Sequence, residues 1–221
     1  MKNTIFNIDI DFKKSKGGML YDKRTNKKYL DFFGQYSTLT LGYNSEIFNK
    51  KAIQKELIKI FPQKIVNCEL DSDILKNFKK NFKKTLGLGL YKNFHFCSTG
   101  ALAVEAAIKT SIYQSKNKSK NIIVLKGSFH GINGYGGIFT DRFDAVYPRL
   151  KDFPGSYIDH VDVTEAVKSF SNKENSNYQK VIKIIDSKIK KEKSSAVLVE
   201  PVQSTFGDRY LDKNFLKDLE F

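Results

Sequence analysis

Three stretches of this sequence place small, aromatic and acidic residues where buried strands are expected to end. Residues 98–101 read Ser-Thr-Gly-Ala after the apolar "NFHFC" and open a helical pattern. Residues 127–137 read "GSFHGINGYGG" after "NIIVLK", and Glu200 opens "EPVQ" after "AVLV". Because ligands of parallel sheets bind beyond the carboxyl ends of the strands, we expect the three stretches to form one site.

The first stretch has the composition of an anion site. The first turn of a helix carries backbone N–H groups without partners in the helix and the positive end of the helix dipole. Thr99, Gly100 and Ala101 are small enough for a phosphate to approach these groups. The alternative interpretation is that Ser98 or Thr99 only caps the helix. A P-loop is excluded because the sequence has no GxxxxGK[ST] motif.

The second stretch adds an aromatic ring and an imidazole. Phe129 and His130 directly follow a buried strand, and the glycines after them allow close backbone approach. Phe129 could stack on a flat ligand, although a role in the core is the alternative, as is a structural role for His130. An aromatic residue beside a phosphate seat predicts a phosphorylated aromatic cofactor.

The elements that must position these residues indicate an α/β fold. Continuous apolar runs at 122–125 and 196–199 are typical of strands buried on both faces of a parallel sheet. A helical pattern repeats Tyr178, Val181, Ile185 and Ile189 between them. The sequence therefore predicts a mainly parallel sheet flanked by helices.

The segment before residue 63 has a different pattern. "GGMLYDKRTNKKYLDFF" predicts a hairpin around Arg24 to Asn26, and a helix follows. We predict an N-terminal segment over 1–62 and a larger cofactor-binding domain over 63–221. A lysine-rich helix opens that second part, capped by Asp71 or Ser72. Its predicted core stripe consists of Leu70, Ile74, Phe78, Phe82 and Leu86.

Composition limits the other function classes. The 221 residues carry a formal net charge of +14, which nucleic-acid binding would explain, but the lysines are expected to form a solvated surface. The two cysteines, Cys68 and Cys97, form no CxxC pair, so we expect no metal site and a reducing, cytoplasmic location. We also expect no membrane partner, since no apolar run approaches the length of a membrane span.

Four motifs in order resemble one family. "YLDFFGQYSTLTLGYN", "STGALAVEAAIK", "GSFHGINGYGG" and "VLVEPVQ" are similar to the N-terminal signatures of class III pyridoxal-phosphate aminotransferases, in the same order and at similar spacing. The resemblance covers nearly the whole chain and leans toward the lysine 6-aminotransferase branch. It implies the N-terminal portion of a fold-type I enzyme, a homodimer at full length.

The resemblance also implies roles for single residues. Gly100 and Ala101 would bind the phosphate of pyridoxal 5'-phosphate, with Thr99 beside them, while Phe129 would stack on the ring and His130 would support it. Glu200 is implied as a catalytic residue near the cofactor, and Tyr36 would line the substrate entrance. The implied reaction passes an amino group from an amino donor to a 2-oxo acid through a Schiff base.

The chain also departs from the family. Members are about twice as long, and the lysine and aspartate that act on the cofactor lie beyond the "EPVQ" strand, so we expect an N-terminal half that is inactive alone. Ile132 and Thr205 stand where lysine-type members carry an arginine and a glutamate, which leaves the substrate open. Arg142 or Arg209 could supply a cation, although a structural salt bridge is the alternative. An aminomutase, another pyridoxal-phosphate enzyme, or a non-enzymatic basic module that binds nucleic acid or protein remain alternatives.

Overall fold

The computed structural model describes residues 7–62, 70–87, 89–116, 121–141, 158–168 and 177–219. The described residues cluster into two units. The first takes those of Met1–Lys64 together with Leu70–Leu86, and the second takes those of Gly87–Phe221. The lysine-rich helix therefore clusters with the N-terminal segment. The domain boundary at residue 62 stays a prediction.

The first unit begins with the expected hairpin. Strands β1 (Met19–Asp22) and β2 (Lys27–Leu30) pair antiparallel, with Met19 opposite Leu30. The four residues between them form the turn, in which Asn26 has a φ of +55°. Asparagine tolerates this left-handed conformation better than most residues, so the turn forms where the sequence predicts it.

Three α-helices and a short 3-10 helix (Glu46–Asn49) follow in the first unit. Helix α1 (Gly34–Ser37) is a single turn, α2 spans Lys51–Ile60 and α3 spans Asp73–Thr85. Ser72 caps α3, because its side chain accepts a hydrogen bond from the Leu75 N–H at 3.2 Å. Within α2, which is described throughout, no residue is buried.

The predicted core stripe of α3 is wrong in its orientation. Leu70 and Leu86 are exposed, and the buried residue of the helix is Leu75, which lies one position beyond the stripe. Phe78 and Phe82 are half-buried and pack on each other with ring centroids 5.8 Å apart. Periodicity locates an apolar face, but the neighbouring elements decide which edge of that face is covered.

The second unit contains helices on both sides of a short parallel sheet. Its elements, in chain order, are α4 (Gly100–Gln114), β3 (Ile122–Leu125), α5 (Gly134–Phe139), β4 (Ile158–Val161), α6 (Tyr178–Glu192), β5 (Ala196–Leu198), β6 (Val202–Gln203), β7 (Arg209–Tyr210) and α7 (Lys213–Asp218). Strands β4, β3 and β5 lie in that order and are parallel. Strands β6 and β7 form a separate antiparallel pair.

Alternate residues of β3 face two different cores, as the pleat of a strand requires. Ile123 and Leu125 pack with residues of α6 and α7, whereas Ile122 and Val124 pack with residues of α4 and α5. All four side chains are buried. The predicted α/β layering and the parallel sheet are thereby confirmed.

One predicted strand is wrong. Residues 93–97, "NFHFC", are not assigned to a strand, although Phe94 and Phe96 stack with ring centroids 6.1 Å apart. Apolar alternation alone does not make a strand, because regular ladder hydrogen bonds must come from elsewhere in the chain.

None of the described helices is long and apolar enough to cross a membrane.

Candidate functional site

The first turn of α4 combines a cap with two free amides. The side chain of Thr99 accepts a hydrogen bond from the Leu102 N–H at 3.1 Å, so the capping interpretation holds for Thr99. Within the described part of the chain, the N–H groups of Gly100 and Ala101 have no acceptor. A Cβ atom at Gly100 would meet nothing within 4 Å. The cap therefore leaves two donors and open space for an anion.

The loop after β3 packs against this same turn. Gly131 has a φ of +115°, and a Cβ atom there would lie 3.1 Å from the Cβ of Ala101. A Cβ atom at this distance would be crowded, and L-residues rarely adopt this backbone conformation, so the position favours glycine. Phe129 and His130 immediately precede this contact. The structure thus brings the loop of the second stretch to the first turn of α4, where the phosphate is predicted to bind.

The third stretch reaches the loop through Glu200. A carboxylate oxygen of Glu200 accepts a hydrogen bond from the Phe129 N–H at 2.7 Å. Both residues are half-buried, although 71 positions separate them in the sequence. A charged acceptor makes this a strong contact. Glu200, predicted as a catalytic residue, fixes the backbone from which the Phe129 side chain projects.

His130 is buried in a neutral state. Its side chain is 5% exposed, and its Nε2 atom has no hydrogen-bond partner among the described residues. Burial lowers the pKa of His130 to about 4, and the nearby His160 adds to the effect. The backbone of His130 is held by Thr140, whose hydroxyl accepts its N–H at 2.9 Å. A buried ring nitrogen without a partner is a group that a ligand could satisfy.

The glycines at the start of α5 are held by Glu105 of α4. The Gly136 N–H donates to the carboxylate of Glu105 at 2.8 Å. A Cβ atom at Gly136 would lie 2.5 Å from the carbonyl oxygen of His130, so the loop folds back tightly on itself. Sequence reasoning did not assign Glu105, although it lies in the "GALAVE" motif. The helix that supplies the two free amides therefore also anchors the far end of the glycine-rich stretch.

Gln203 and Arg209 both contact the loop after β3, and the sequence predicts this role for neither of them. Gln203 is fully buried and donates to backbone and side-chain oxygens of the loop after β3. The sequence predicts that Arg209 supplies a cation or, alternatively, forms a structural salt bridge. It donates to the Lys126 carbonyl at 3.0 Å and to the Gln203 side chain, and it forms no ion pair within the described part of the chain. Arg142, the other candidate cation, lies outside the described residues. The only sequence signal for Gln203 was its place in "EPVQ".

Tyr36 belongs to the first unit and lies in a strained turn. Gln35 and Tyr36 have φ values of +49° and +58°, so α1 is left-handed there. The carboxylate of Asp31 accepts from the Gly34 N–H at 2.9 Å, and the Tyr43 hydroxyl donates to it at 2.8 Å. Tyr36 itself is 77% exposed. Left-handed residues other than glycine concentrate at functional sites, which fits an entrance role, and that role stays a prediction.

The two departures from the family pattern have different surroundings. Ile132 is 81% exposed and lies in the loop between β3 and α5, next to Gly131. Thr205 is half-buried, and its hydroxyl has no partner among the described residues.

In the part of the chain that the structure describes, no group of three or more potential metal ligands occurs.

Comparison with known proteins assigns the family. A family model described as aminotransferase class III matches residues 1–220. The chain belongs to the class III aminotransferases. The motifs that pointed to this family are thereby confirmed.

Individual relatives agree with this assignment. An L-lysine-epsilon aminotransferase of Streptomyces clavuligerus is 27% identical over 97% of this chain and 50% of its own length. An acetylornithine aminotransferase of Prochlorococcus marinus is 28% identical over 99% of this chain and 49% of its own length. A solved lysine aminotransferase from M. tuberculosis superposes with a TM-score of 0.79 at 22% identity, covering 99% of this chain and 52% of that one.

The comparisons settle fold and cofactor class. The chain spans about half the length of the curated relatives it matches. Class III aminotransferases depend on pyridoxal phosphate, as the resemblance implied. The residues of the second unit fit this group: two free amides and open space for a phosphate, an aromatic side chain, and a buried imidazole nitrogen without a described partner.

Proposed function

We propose that this class III aminotransferase chain holds pyridoxal phosphate for the transfer of an amino group to a 2-oxo acid. The amino donor would be an amino acid or an omega-amine, such as the terminal amine of L-lysine. The observation that carries the proposal is the close approach of the Gly131 backbone to Ala101, which brings the aromatic loop next to the amides at the start of α4. The names of the relatives support the donor class.

Each residue of the site has a distinct role in this proposal. The N–H groups of Gly100 and Ala101 bind the phosphate, where the helix dipole favours negative charge. Phe129 stacks on the ring, and Glu200 orients Phe129 through its backbone N–H. His130 stays neutral near pH 7 because its pKa is lowered to about 4, so its Nε2 can accept a hydrogen bond. When bound, the cofactor supplies a ring that withdraws electrons and carries the amino group.

The proposal is tested at Gly100. A leucine there meets no protein atom at its Cβ but fills the space where the phosphate would lie. We expect Gly100→Leu to weaken cofactor binding more than tenfold, whereas loss of a cap alone costs about 1 kcal/mol, or roughly fivefold. The control is Ala107→Leu, an exposed position two turns along the same helix.

The ligand used to measure binding must not react with the amino groups of the surface lysines. Pyridoxine 5'-phosphate lacks the aldehyde that would react with them, and equilibrium dialysis measures its affinity directly. Equal affinities for the parent chain and Gly100→Leu would reject the phosphate seat. Binding that Ala107→Leu weakens as much as Gly100→Leu does would reject it too.

Finer predictions accompany this proposal. Tyr36 would line the substrate entrance, the full-length enzyme would be a cytoplasmic homodimer, and nucleic acid would not be a partner. That the 221-residue chain alone does not transaminate also stays a prediction. Assays of lysine, ornithine and 4-aminobutyrate with 2-oxoglutarate test it, and turnover of any of them by a monodisperse preparation would contradict it.

A further inference from the structure

A buried glutamine reaches across the second unit to the loop that carries Phe129. Gln203, the last residue of β6, is 0% exposed. Its side-chain amide donates to the Lys126 carbonyl at 2.8 Å and to the Ser128 hydroxyl at 2.8 Å. These partners lie 77 and 75 positions earlier in the sequence. The glutamine therefore holds the loop on both sides of Gly127.

The chemistry of its neighbours sets the orientation of the Gln203 amide. A backbone carbonyl only accepts hydrogen bonds, so the NH₂ group must face Lys126. A guanidinium only donates, so the amide oxygen must face Arg209, which donates to it. A flipped amide would place like groups together at both contacts. The amide thus has a single satisfied orientation, which makes it a rigid support.

Arg209 of β7 completes the arrangement. Its Nη2 donates to the same Lys126 carbonyl at 3.0 Å, so that oxygen accepts two hydrogen bonds. The guanidinium lies 4.0 Å from the centroid of the Phe206 ring. Burial lowers the pKa of Arg209, and the charges of Asp162 and Asp141 oppose that shift. Arginine still titrates far above neutral pH, so the group acts as a fixed cation.

The backbone of the loop passes directly beside this guanidinium. Gly127 has a φ of +79°, and a Cβ atom there would lie 2.4 Å from Nη2 of Arg209 and 3.0 Å from the ring of Phe206. The carboxylate of Asp141 accepts the Gly127 N–H at 3.0 Å. Glycine is the only residue that fits both the conformation and the space.

The loop depends on such contacts because it lacks regular structure. Residues 126–133 between β3 and α5 belong to neither a strand nor a helix, and Gly127 and Gly131 both have left-handed backbones. Backbone hydrogen bonds from the Lys126 N–H to the Val161 carbonyl at 2.8 Å and from the Ser128 N–H to the Leu125 carbonyl at 3.3 Å hold part of the loop, and side-chain contacts add to that support. Those to Gln203 and Arg209 lie immediately before Phe129.

We propose that Gln203 and Arg209 are positioning residues that hold the loop 126–129 so that Phe129 can stack on the cofactor ring. This role rests on the proposed function, but the holding of the loop can be measured without any cofactor. Neither residue needs to touch the cofactor in this arrangement. The cation is thus assigned to loop support and not to a substrate carboxylate.

Hydrogen exchange, monitored by mass spectrometry, measures how strongly Gln203 and Arg209 restrain the loop. Four variants remove or conserve the contacts: Gln203→Met, Gln203→Glu, Arg209→Met and Arg209→Lys. We expect the amides of residues 127–131 to exchange at least about tenfold faster in both methionine variants, while those of 122–125 stay slow. Gln203→Glu keeps the shape but loses the donor, so it should resemble Gln203→Met. Arg209→Lys keeps a donor and should retain part of the protection.

The second arm measures the affinity for pyridoxine 5'-phosphate by equilibrium dialysis. We expect the methionine variants to bind about tenfold more weakly, and the exposed Arg24→Met variant to match the parent in both arms. Exchange that rises equally in 122–125 and 127–131 would overturn the proposal, because it would show general destabilisation. Faster loop exchange with unchanged affinity would overturn it as well.

The two arms separate this inference from the function on which it rests. If the parent chain does not bind the analogue, or if Gly100→Leu does not weaken its binding, the proposed function fails. The exchange arm then still decides whether Gln203 and Arg209 hold the loop. The two conservative variants keep the test decisive if a methionine variant fails to fold.

Discussion

Replacing Gly127 with alanine should destabilise the second unit far more than the same change at Gly89. Gly127 and Gly89 have nearly the same left-handed backbone, with φ values of +79° and +76°. An L-residue in this conformation costs about 1–2 kcal/mol, and the loss of glycine flexibility in the unfolded chain returns about 0.4–1 kcal/mol. These terms are common to both sites, so Gly89→Ala should cost between about 0 and 1.6 kcal/mol.

The two sites differ in what the new methyl group meets. At Gly89 a Cβ atom would have nothing within 4 Å, whereas at Gly127 it would lie 2.4 Å from Nη2 of Arg209 and 3.0 Å from Phe206. Overpacking of this kind costs about 1–3 kcal/mol. A long side chain could swing away cheaply, but Arg209 would then lose its hydrogen bonds to Lys126 and Gln203. We therefore expect Gly127→Ala to cost about 1–3 kcal/mol more than Gly89→Ala.

Urea unfolding, monitored by circular dichroism, measures the free energy of unfolding of both variants. Both glycines lie in the second unit, so both changes affect the same transition. Equal m-values would allow the midpoints to be compared directly. In an Arg209→Met background, the excess cost at Gly127 should shrink, as expected for residues in contact. A difference below about 0.5 kcal/mol between the two glycine variants would refute the reasoning, because it would show that Arg209 moves freely.

Three further predictions follow from individual contacts. The folded pKa of His130, about 4, lies below its ordinary 6.5, so the unfolded chain binds the proton more readily and stability should fall as the pH drops from 6.5 to about 4. The change in the free energy of unfolding with pH should reach about 1.4 kcal/mol per pH unit, and this contribution should disappear in His130→Gln. Urea midpoints that shift equally in the parent and the variant between pH 6.5 and 4.5 would contradict the prediction. Tyr43→Phe removes the hydrogen bond to Asp31 and should lower the free energy of unfolding by about 1–2 kcal/mol, with an unchanged urea midpoint as the contrary result. Phe129→Ala should weaken the binding of pyridoxine 5'-phosphate by about two- to tenfold in dialysis while the circular dichroism spectrum stays that of the parent, and full affinity would rule out stacking.

The order of most elements could be predicted from the sequence, and so could the closeness of the loop after β3 to the first turn of α4 and to Glu200. The hairpin turn at Arg24 to Asn26, the Ser72 cap and the apolar runs of β3 and β5 are local patterns, and local backbone preference decides them. Phe129 and Glu200 could be chosen because parallel strands end at one edge of a sheet. These inferences need only short-range sequence and a general rule of topology.

Only the tertiary structure decided how the site is held together. The contacts of Gln203 and Arg209 with Lys126 cross 77 and 83 positions of sequence, and no periodicity or spacing signals them. The same holds for the left-handed turn at Gln35 and Tyr36, which the Asp31 carboxylate supports. An irregular segment has no ladder of its own, so its polar groups take whatever partners the folded chain brings near. The sequence determines which residues lie at the strand ends, and long-range packing determines how firmly they are held there.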